Sequence, residues 1–225
     1  MTTEVLDDRM AISRELSKLG GEKGQAIEYS AGQVVYEPND SAKWFYVIES
    51  GEIRLYHANG QSTMRLLDIL GRADWLGIEV LGKFPTYGKK AVAIAPAVLW
   101  AISAADLHEI LAQHSELAIW LVEGMAQKLE QAWSDGSRMI FDDCRHRLVQ
   151  TLLRFSHSPA AQATADGVLL RITHKQLAQA VGAARETISV CLTELRKLNV
   201  VLTGRNQLRF DPRRLEQLES GTKPA

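Results

Sequence analysis

The chain has 225 residues, of which 46% are hydrophobic and 24% charged, a composition typical of a globular protein with enough apolar residues for one or two cores. The sequence has no run of about 20 apolar residues that could span a membrane, and its start lacks the basic segment and apolar stretch of a signal peptide. We therefore expect a cytoplasmic protein that makes no membrane contact. Its formal net charge is −1, so it is not basic throughout.

The N-terminal half has the pattern of a β-rich domain that follows a short amphipathic helix at Asp7–Leu19. Short apolar runs separated by glycine are typical of a β-sandwich or jelly-roll barrel. The expected strands are Gln33–Tyr36, Trp44–Glu49, Glu52–His57, Met64–Leu70, Trp75–Val80, Ala91–Ile94 and Ala97–Ile102. The best hairpin is Trp44–Tyr56, in which Ser50-Gly51 supplies the positive φ of a tight turn. Gly60, Gly71 and Gly77 are expected to act similarly.

A helical region is predicted from Ala104 to about His157, with a break near Asp135-Gly136. Small and apolar residues recur in it at alternating steps of four and three, the spacing of a two-helix seam. They are Ala118, Val122, Met125, Leu129, Ala132, Gly136 and Met139. A second copy of the chain is the simplest partner for such a seam, and the alternative is that the seam packs on its own barrel. Ser158–Gly167 has the composition of a surface loop or linker.

The region Val168–Arg214 has nine Lys and Arg against three Asp and Glu, which leaves a net charge of about −7 for the remainder. Within it, Ile172–Leu195 has the pattern of a helix-turn-helix. Thr173 is suited to cap the first helix and Gly182 to make the turn. Arg185 and Glu186 then open the second helix, where Arg can bind guanine and Glu can accept from cytosine N4.

A short predicted hairpin, Val200–Thr203 with Gln207–Phe210, follows the two helices and resembles the wing of a winged helix. Arg205 and Arg209 in this hairpin are suited to bind phosphates. An ordinary helical hairpin with a solvated Arg-Glu pair would give much of the same pattern. The wing favours the DNA-binding interpretation over that alternative.

The order of barrel, long helix, Thr-x-x-x-Leu-Ala-x-x-x-Gly-x-x-Arg-Glu-Thr motif and wing resembles the Crp/Fnr family from Gly32 to Leu218. The resemblance implies an α+β fold with a jelly-roll sensor barrel at 1–114, a dimerisation helix at 115–141 and a winged helix-turn-helix domain at 142–225. It also implies a homodimer on a two-fold symmetric DNA site, and contact of the 158–167 loop with RNA polymerase. The implied DNA-binding residues are Thr173, His174, Gln176, Arg185, Glu186, Thr187, Ser189 and Arg205.

Departures from the family pattern affect both the DNA site and the effector. Where many members have a third base-reading Arg, this chain has Val190, so we expect a changed or relaxed preference at one position of the half-site. Members that bind cyclic AMP have a Gly-Glu-Leu, an Arg-Ser or Arg-Thr, and a Thr-Ser motif. The matching segments here are Gly77-Ile78-Glu79, Lys89-Lys90 and Ala132-Trp133. Cyclic AMP is therefore not expected.

Other effectors remain open. Another anion or nucleotide at Glu79, Lys89 and Lys90, stacking on Trp133, is one hypothesis. The alternative is that the lysines form a solvated turn and Trp133 belongs to an interface. No Cys precedes Cys144, which excludes an N-terminal iron–sulfur cluster of the Fnr type. Haem is not expected, because the histidines that could ligate it are scattered; these are His57, His108, His114 and His146.

The two cysteines, Cys144 and Cys191, belong to no CxxC or zinc-finger spacing, so neither a structural zinc nor a disulfide framework is expected. Cys191 lies on the second helix of the helix-turn-helix, where its oxidation would disturb DNA contact, although a small buried apolar role is the simpler interpretation. No catalytic motif is found, so an enzyme is not expected. The remaining alternative is a sensory module whose C-terminal domain binds another protein.

Overall fold

The computed structural model describes residues 15, 18, 19, 21–59, 63–83, 85–141, 143–158 and 161–219. The chain divides into two compact units, one made of Met1–Ala58 with Ile69–Trp133 and the other of Asn59–Asp68 with Ser134–Ala225. The predicted helix at Asp7–Leu19 lies mostly outside the described residues. Among the described residues, no helix combines the length and the apolar character needed to cross a membrane.

The N-terminal half forms two four-stranded sheets, with strand orders β1-β8-β3-β6 and β2-β7-β4-β5. The strands are β1 (Gln25–Tyr29), β2 (Val34–Tyr36), β3 (Trp44–Ser50), β4 (Ile53–Asn59), β5 (Thr63–Leu70), β6 (Trp75–Leu76), β7 (Lys90–Ala93) and β8 (Ala97–Ser103). Phe45, Val47 and Ile102 are fully buried and pack in one apolar core with Trp75 and Leu107. The predicted β-barrel architecture is thereby confirmed, although only the first two residues of the predicted strand Trp75–Val80 form a strand.

After β6 the chain forms a short 3₁₀ helix, Ile78–Leu81, instead of continuing as a strand. The change occurs at Gly77, whose φ of 83° lies in the left-handed region. A Cβ at this position would lie 2.5 Å from the carbonyl oxygen of Trp44, so only glycine fits. The mostly apolar segment Trp75–Val80 does not indicate where the strand ends, because hydrophobic periodicity cannot distinguish a short strand from a buried helical turn.

The predicted hairpin Trp44–Tyr56 is wrong in its pairing. Strand β3 pairs with β8 and β6, whereas β4 belongs to the other sheet and pairs with β7. Ser50-Gly51 therefore carries the chain from one sheet to the other. Gly51 does have the predicted positive φ, 96°, and a Cβ there would lie 2.5 Å from the Cβ of Ala97. Gly71 is also different from expectation, because the positive φ of its turn belongs to Ala73.

Two helices follow the sheets, α1 (Ala104–Gln113) and α2 (Ser115–Phe141). The predicted break at Asp135-Gly136 is wrong, because α2 runs through both residues. A glycine inside a helix costs only about 1 kcal/mol relative to alanine, which a helix of 27 residues can absorb. The chain instead leaves helical geometry at His114, whose φ and ψ are −125° and 82°.

Over residues 143–158 and 161–219, the C-terminal half contains four helices and a four-stranded sheet of order β11-β12-β10-β9. The elements are α3 (Cys144–Ser156), β9 (Gln162–Thr164), β10 (Gly167–Leu170), α4 (His174–Val181), α5 (Arg185–Lys197), β11 (Val201–Gly204), β12 (Gln207–Phe210) and α6 (Pro212–Glu219). The core of this half consists of fully buried side chains from the helices and the sheet. It includes Leu148, Leu152, Phe155, Leu177, Ile188, Leu195, Leu208 and Phe210.

The predicted loop at Ser158–Gly167 is partly a hairpin. β9 pairs with β10 in antiparallel register, with Thr164 opposite Gly167, and the Thr164 hydroxyl donates to the Gly167 carbonyl oxygen over 3.1 Å. Gly167 has a φ of 126°, and a Cβ there would lie 2.3 Å from the carbonyl oxygen of Phe210. The short strand of small and polar residues, Gln162–Thr164, has no apolar alternation, so the sequence pattern gave no strand signal.

Candidate nucleic-acid interface

The first helix of the predicted helix-turn-helix, α4, begins with a capping box. The backbone N–H of Gln176 donates to the Thr173 hydroxyl over 3.2 Å, and the backbone N–H of Thr173 donates to Gln176 Oε1 over 3.0 Å. Gly182, in the left-handed region at φ 72°, ends the helix, and its N–H donates to the carbonyl oxygen of Ala178. The turn that places α5 after α4 thus follows directly from Thr173, Gln176 and Gly182.

The second helix, α5, separates a buried from an exposed face as predicted. Its buried residues are Ile188, Cys191, Leu192 and Leu195. Arg185, Glu186 and Thr187 are exposed in its first turn. Within the described part of the chain, the Arg185 and Glu186 side chains have no ion-pair partner, so both are available to an external ligand. Their position at a helix N-terminus matches the way a recognition helix meets base edges.

His174 and Ser189 connect the two helices. The Ser189 hydroxyl donates to the Arg185 carbonyl oxygen over 3.0 Å, and His174 Nδ1 lies 3.1 Å from Ser189 Oγ. Since the single hydroxyl proton is already used, Ser189 accepts a hydrogen bond from His174 Nδ1–H. This pair fixes the start of α5 against the start of α4, a positioning contact that spacing alone did not indicate.

The predicted wing hairpin is present, with Gly204 opposite Gln207 at the tip of β11 and β12. Arg205 is exposed in this tip, next to Asn206, whose φ of 59° completes the turn. Arg209 lies further back and contacts Asp166, with 3.6 Å between Nη1 and Oδ2. Arg205 is therefore better placed than Arg209 to bind a phosphate.

The residues of the hypothetical effector site, Glu79, Lys89, Lys90 and Trp133, do not share one set of contacts. Lys89 Nζ lies 2.8 Å from Glu79 Oε1, and Lys90 Nζ lies 2.5 Å from Glu37 Oε1. Trp133, on α2, has 63% of its surface exposed. Each lysine thus has a carboxylate partner from the protein itself.

A buried tyrosine cluster, formed by Tyr36, Tyr46 and Tyr87, lies beside this segment and was missed from the sequence. The rings of Tyr36 and Tyr87 stack with centroids 3.8 Å apart, and Tyr87 Oη donates to the Trp44 carbonyl oxygen over 2.8 Å. Burial raises the pKa of Tyr36 above its usual value, and the charge of Glu79 raises it further. The three residues come from separate strands and loops, so no local pattern indicates that they meet.

The seam predicted on α2 is exposed over its described central part. Val122, Met125 and Leu129 have 64%, 45% and 49% of their surface exposed. The helix buries a different face, on which Leu117 and Leu121 join the apolar core of the first unit. The alternative that the seam packs on its own barrel is therefore not what the structure has, and Ile119 and Trp133 extend the exposed apolar stripe. At Gly136 and Met139 the structure describes only the course of the helix, so the prediction for the seam is not tested there.

Comparison with known proteins agrees with this architecture. Residues 26–114 match the cyclic nucleotide-binding domain model, and residues 146–218 match the Crp-like helix-turn-helix domain model. The CRP-like cAMP-activated global transcriptional regulator of Mycobacterium tuberculosis is 25% identical over 197 residues, which cover 85% of this chain and 86% of that protein. The cAMP-activated global transcriptional regulator CRP of Haemophilus influenzae is 22% identical over 177 residues, covering 77% and 78%.

Solved structures show the same fold. The c-di-GMP responsive global regulator CLP of Xanthomonas campestris superimposes with a TM-score of 0.74 at 20% identity, covering 87% of this chain and 97% of that one. FixK2 of Bradyrhizobium japonicum gives a TM-score of 0.73 at 17% identity, covering 90% and 98%.

Proposed function

The chain belongs to the Crp/Fnr family of DNA-binding transcription regulators, and on that premise we propose that it binds a two-fold symmetric DNA site as a homodimer and reads bases with Arg185 and Glu186. The observation that carries the proposal is the exposure of these two side chains, without ion-pair partners among the described residues, in the first turn of α5. The protein acts in the cytoplasm, where its DNA is, and its role is regulatory and not catalytic.

Arg185 and Glu186 are proposed to contact different bases of a G·C pair or of neighbouring pairs. The planar guanidinium of Arg185 donates to guanine O6 and N7, and the Glu186 carboxylate accepts from cytosine N4. Thr173, His174, Gln176 and Ser189 hold the helix ends in register, and Arg205 adds phosphate affinity from the wing. Thr187, which is exposed in the first turn of α5, and His174 are further residues proposed to contact the DNA.

The homodimer follows from the exposed apolar stripe on α2. Val122, Met125 and Leu129 recur at the spacing of a helix pair, and isolated proteins rarely leave such a continuous apolar stripe in water. Pairing with the same stripe of a second copy gives a two-fold axis. A two-fold axis in turn matches DNA half-sites that are inverted repeats. RNA polymerase is the further partner proposed, through the 158–167 segment, on family resemblance.

The residues that match the family's cyclic AMP motifs, Lys89-Lys90 and Ala132-Trp133, are not suited to bind cyclic AMP. Lys89 lacks the bidentate fork of arginine and is already paired with Glu79. Ala132 and Trp133 offer no hydroxyl for an adenine. Although curated relatives are named as cAMP-activated, this chain binds its DNA site without that ligand. An anion or a different nucleotide at Glu79, Lys89 and Lys90, with Trp133, remains the open hypothesis for an effector; no iron–sulfur cluster or haem is proposed.

The test is selection of bound sites from random duplex DNA, followed by mobility shifts at a fixed salt concentration. An enriched inverted repeat with G·C pairs in each half-site supports the proposal. Failure to enrich any sequence would favour the alternative, in which the C-terminal domain binds another protein.

A further inference from the structure

The two cysteines of the chain, distant in sequence, meet in the second unit. Cys144 is the first residue of α3 and is half-buried, directly after the capping residue Asp143. Cys191 lies on the buried face of the recognition helix α5, with 8% of its surface exposed. Helices α3 and α5 pack against one another, and the Cys144 thiol is within hydrogen-bonding reach of the Cys191 thiol.

The surroundings give the two thiols different reactivity. Burial, followed by the adjacent Cys144 thiol, raises the pKa of Cys191 to about 11. Cys191 is therefore protonated at neutral pH and shielded from solvent, whereas Cys144 is only half-buried, so we expect a dissolved oxidant to react with Cys144 first. An accessible thiol beside a resolving thiol is the arrangement of a reversible redox pair.

We propose that Cys144 and Cys191 form a reversible intramolecular disulfide that shifts the recognition helix and lowers specific DNA affinity. A hydroperoxide oxidises Cys144 to the sulfenic acid and is itself reduced to the alcohol or to water. The Cys191 sulfur then attacks the Cys144 sulfur, the S–S bond forms, and the sulfenic oxygen leaves as water with the Cys191 proton. A small-molecule dithiol reverses the reaction by thiol–disulfide exchange.

The expected effect on DNA follows from the position of Cys191. Bonded sulfurs lie closer than two hydrogen-bonded thiols, so the bond draws α5 and the start of α3 together. Arg185 and Glu186 are fixed to the same helix, and bidentate base contacts tolerate little displacement. Arg205 lies on the wing, outside α5, so its phosphate contact remains. Oxidation should thus lower specific affinity while leaving binding to random DNA nearly unchanged.

The experiment treats the full-length protein with a hydroperoxide and then with a dithiol. Non-reducing tryptic mapping is expected to find residues 139–145 joined to residues 186–196, with a mass lower by two hydrogen atoms than the separate peptides. Affinity for the selected site is expected to fall about tenfold on oxidation and to return with the dithiol. Non-reducing electrophoresis is expected to show no covalent dimer.

Cys144→Ser is the main variant, because its site is half-exposed and tolerates a hydroxyl, and Cys191→Ala is the second. Both should bind the site as the reduced wild type does and lose the response to oxidant. The loss of DNA affinity on oxidation rests on the proposed function, whereas the disulfide between the two tryptic peptides does not. If the reduced protein selects no DNA sequence, only the proposed function is contradicted. Unlinked peptides after oxidation, or an undiminished response in Cys144→Ser, would overturn the disulfide.

Discussion

Arg185 and Arg205 are both exposed arginines in the second unit, but they lie on different elements, and we propose different roles for them. Arg185 opens the recognition helix, whereas Arg205 stands at the tip of the wing. Arg185→Ala is expected to weaken binding to the selected site by about 1–3 kcal/mol and to relax preference at one base pair. Arg205→Ala should weaken specific and random DNA similarly, with a smaller salt dependence.

Fluorescence anisotropy with both duplexes at several salt concentrations measures this difference. Arg185→Lys is the matched control, since it keeps the charge and removes the bidentate fork. It should bind random DNA as the wild type does and still lack the base preference. An equal loss on specific and random DNA for both alanine variants would contradict the assigned roles.

Val190 is the second position on α5 at which a single substitution tests the proposed contact with bases. Its side chain is 58% exposed on α5, one turn after Glu186, and it can offer a base only an apolar contact. Val190→Arg is expected to create a preference for guanine at one position of each half-site. Site selection with the variant checks this expectation, and an unchanged selected sequence would mean that position 190 does not face the bases.

The stripe on α2 is the element on which the proposed dimer depends. Leu129→Asp places a charge in the middle of that stripe, and burying an unpaired charge is strongly unfavourable. We expect the variant to sediment as a monomer and to lose most of its affinity for the complete site. Gln127→Glu, an exposed change on the same helix outside the stripe, is the control and should remain dimeric. A dimeric Leu129→Asp would place the interface elsewhere.

The tyrosine cluster predicts how the sheets of the first unit respond to alkali. Burial raises the pKa of Tyr36 and Tyr46 above the ordinary 10.0, so the folded chain keeps phenolic protons that an unfolded chain releases near that pH. Their contribution to stability is complete below pH 10 and is lost as the pH rises above it. Calorimetry should show a falling Tm from about pH 10 upward, and Tyr36→Phe should weaken that fall. An unchanged pH dependence in Tyr36→Phe would contradict the burial.

Elements with a local signal were predicted well from the sequence. The helix-turn-helix follows from Thr173, Gly182 and the apolar spacing between them, and the wing from two short runs around Gly204. The pairing of β3 and β4 was mistaken, because Gly51 indicates a turn but not which strand is the partner. That choice depends on contacts with β8 and β7, which are distant in the chain.

Side-chain contacts were the part of the site that sequence could not supply. The Lys89–Glu79 pair, the His174–Ser189 hydrogen bond and the meeting of Cys144 with Cys191 each join residues from different elements. Nothing in the spacing of these residues within their own elements differs from that of ordinary surface or core residues. They follow only from tertiary packing.

The molecule as a whole combines a barrel of the cyclic nucleotide-binding type with a helix-turn-helix domain. We expect that cyclic AMP does not regulate DNA binding through the barrel. A ligand shifts an equilibrium only through its differential affinity for the two states. Adding cyclic AMP should therefore leave affinity for the selected site within about twofold. Titration of the DNA complex with and without the nucleotide measures this, and a tenfold increase in affinity would show that Lys89 and Trp133 do accommodate it.

Two copies of the chain are proposed to bind an inverted repeat through the first turn of α5. The most direct measurement is the stoichiometry and affinity of wild type and Arg185→Ala on the selected duplex, by sedimentation and anisotropy at one fixed salt concentration. We predict two protomers per duplex, and a loss for Arg185→Ala that disappears on random DNA. One protomer per duplex, or a selected site without two-fold symmetry, would contradict the account.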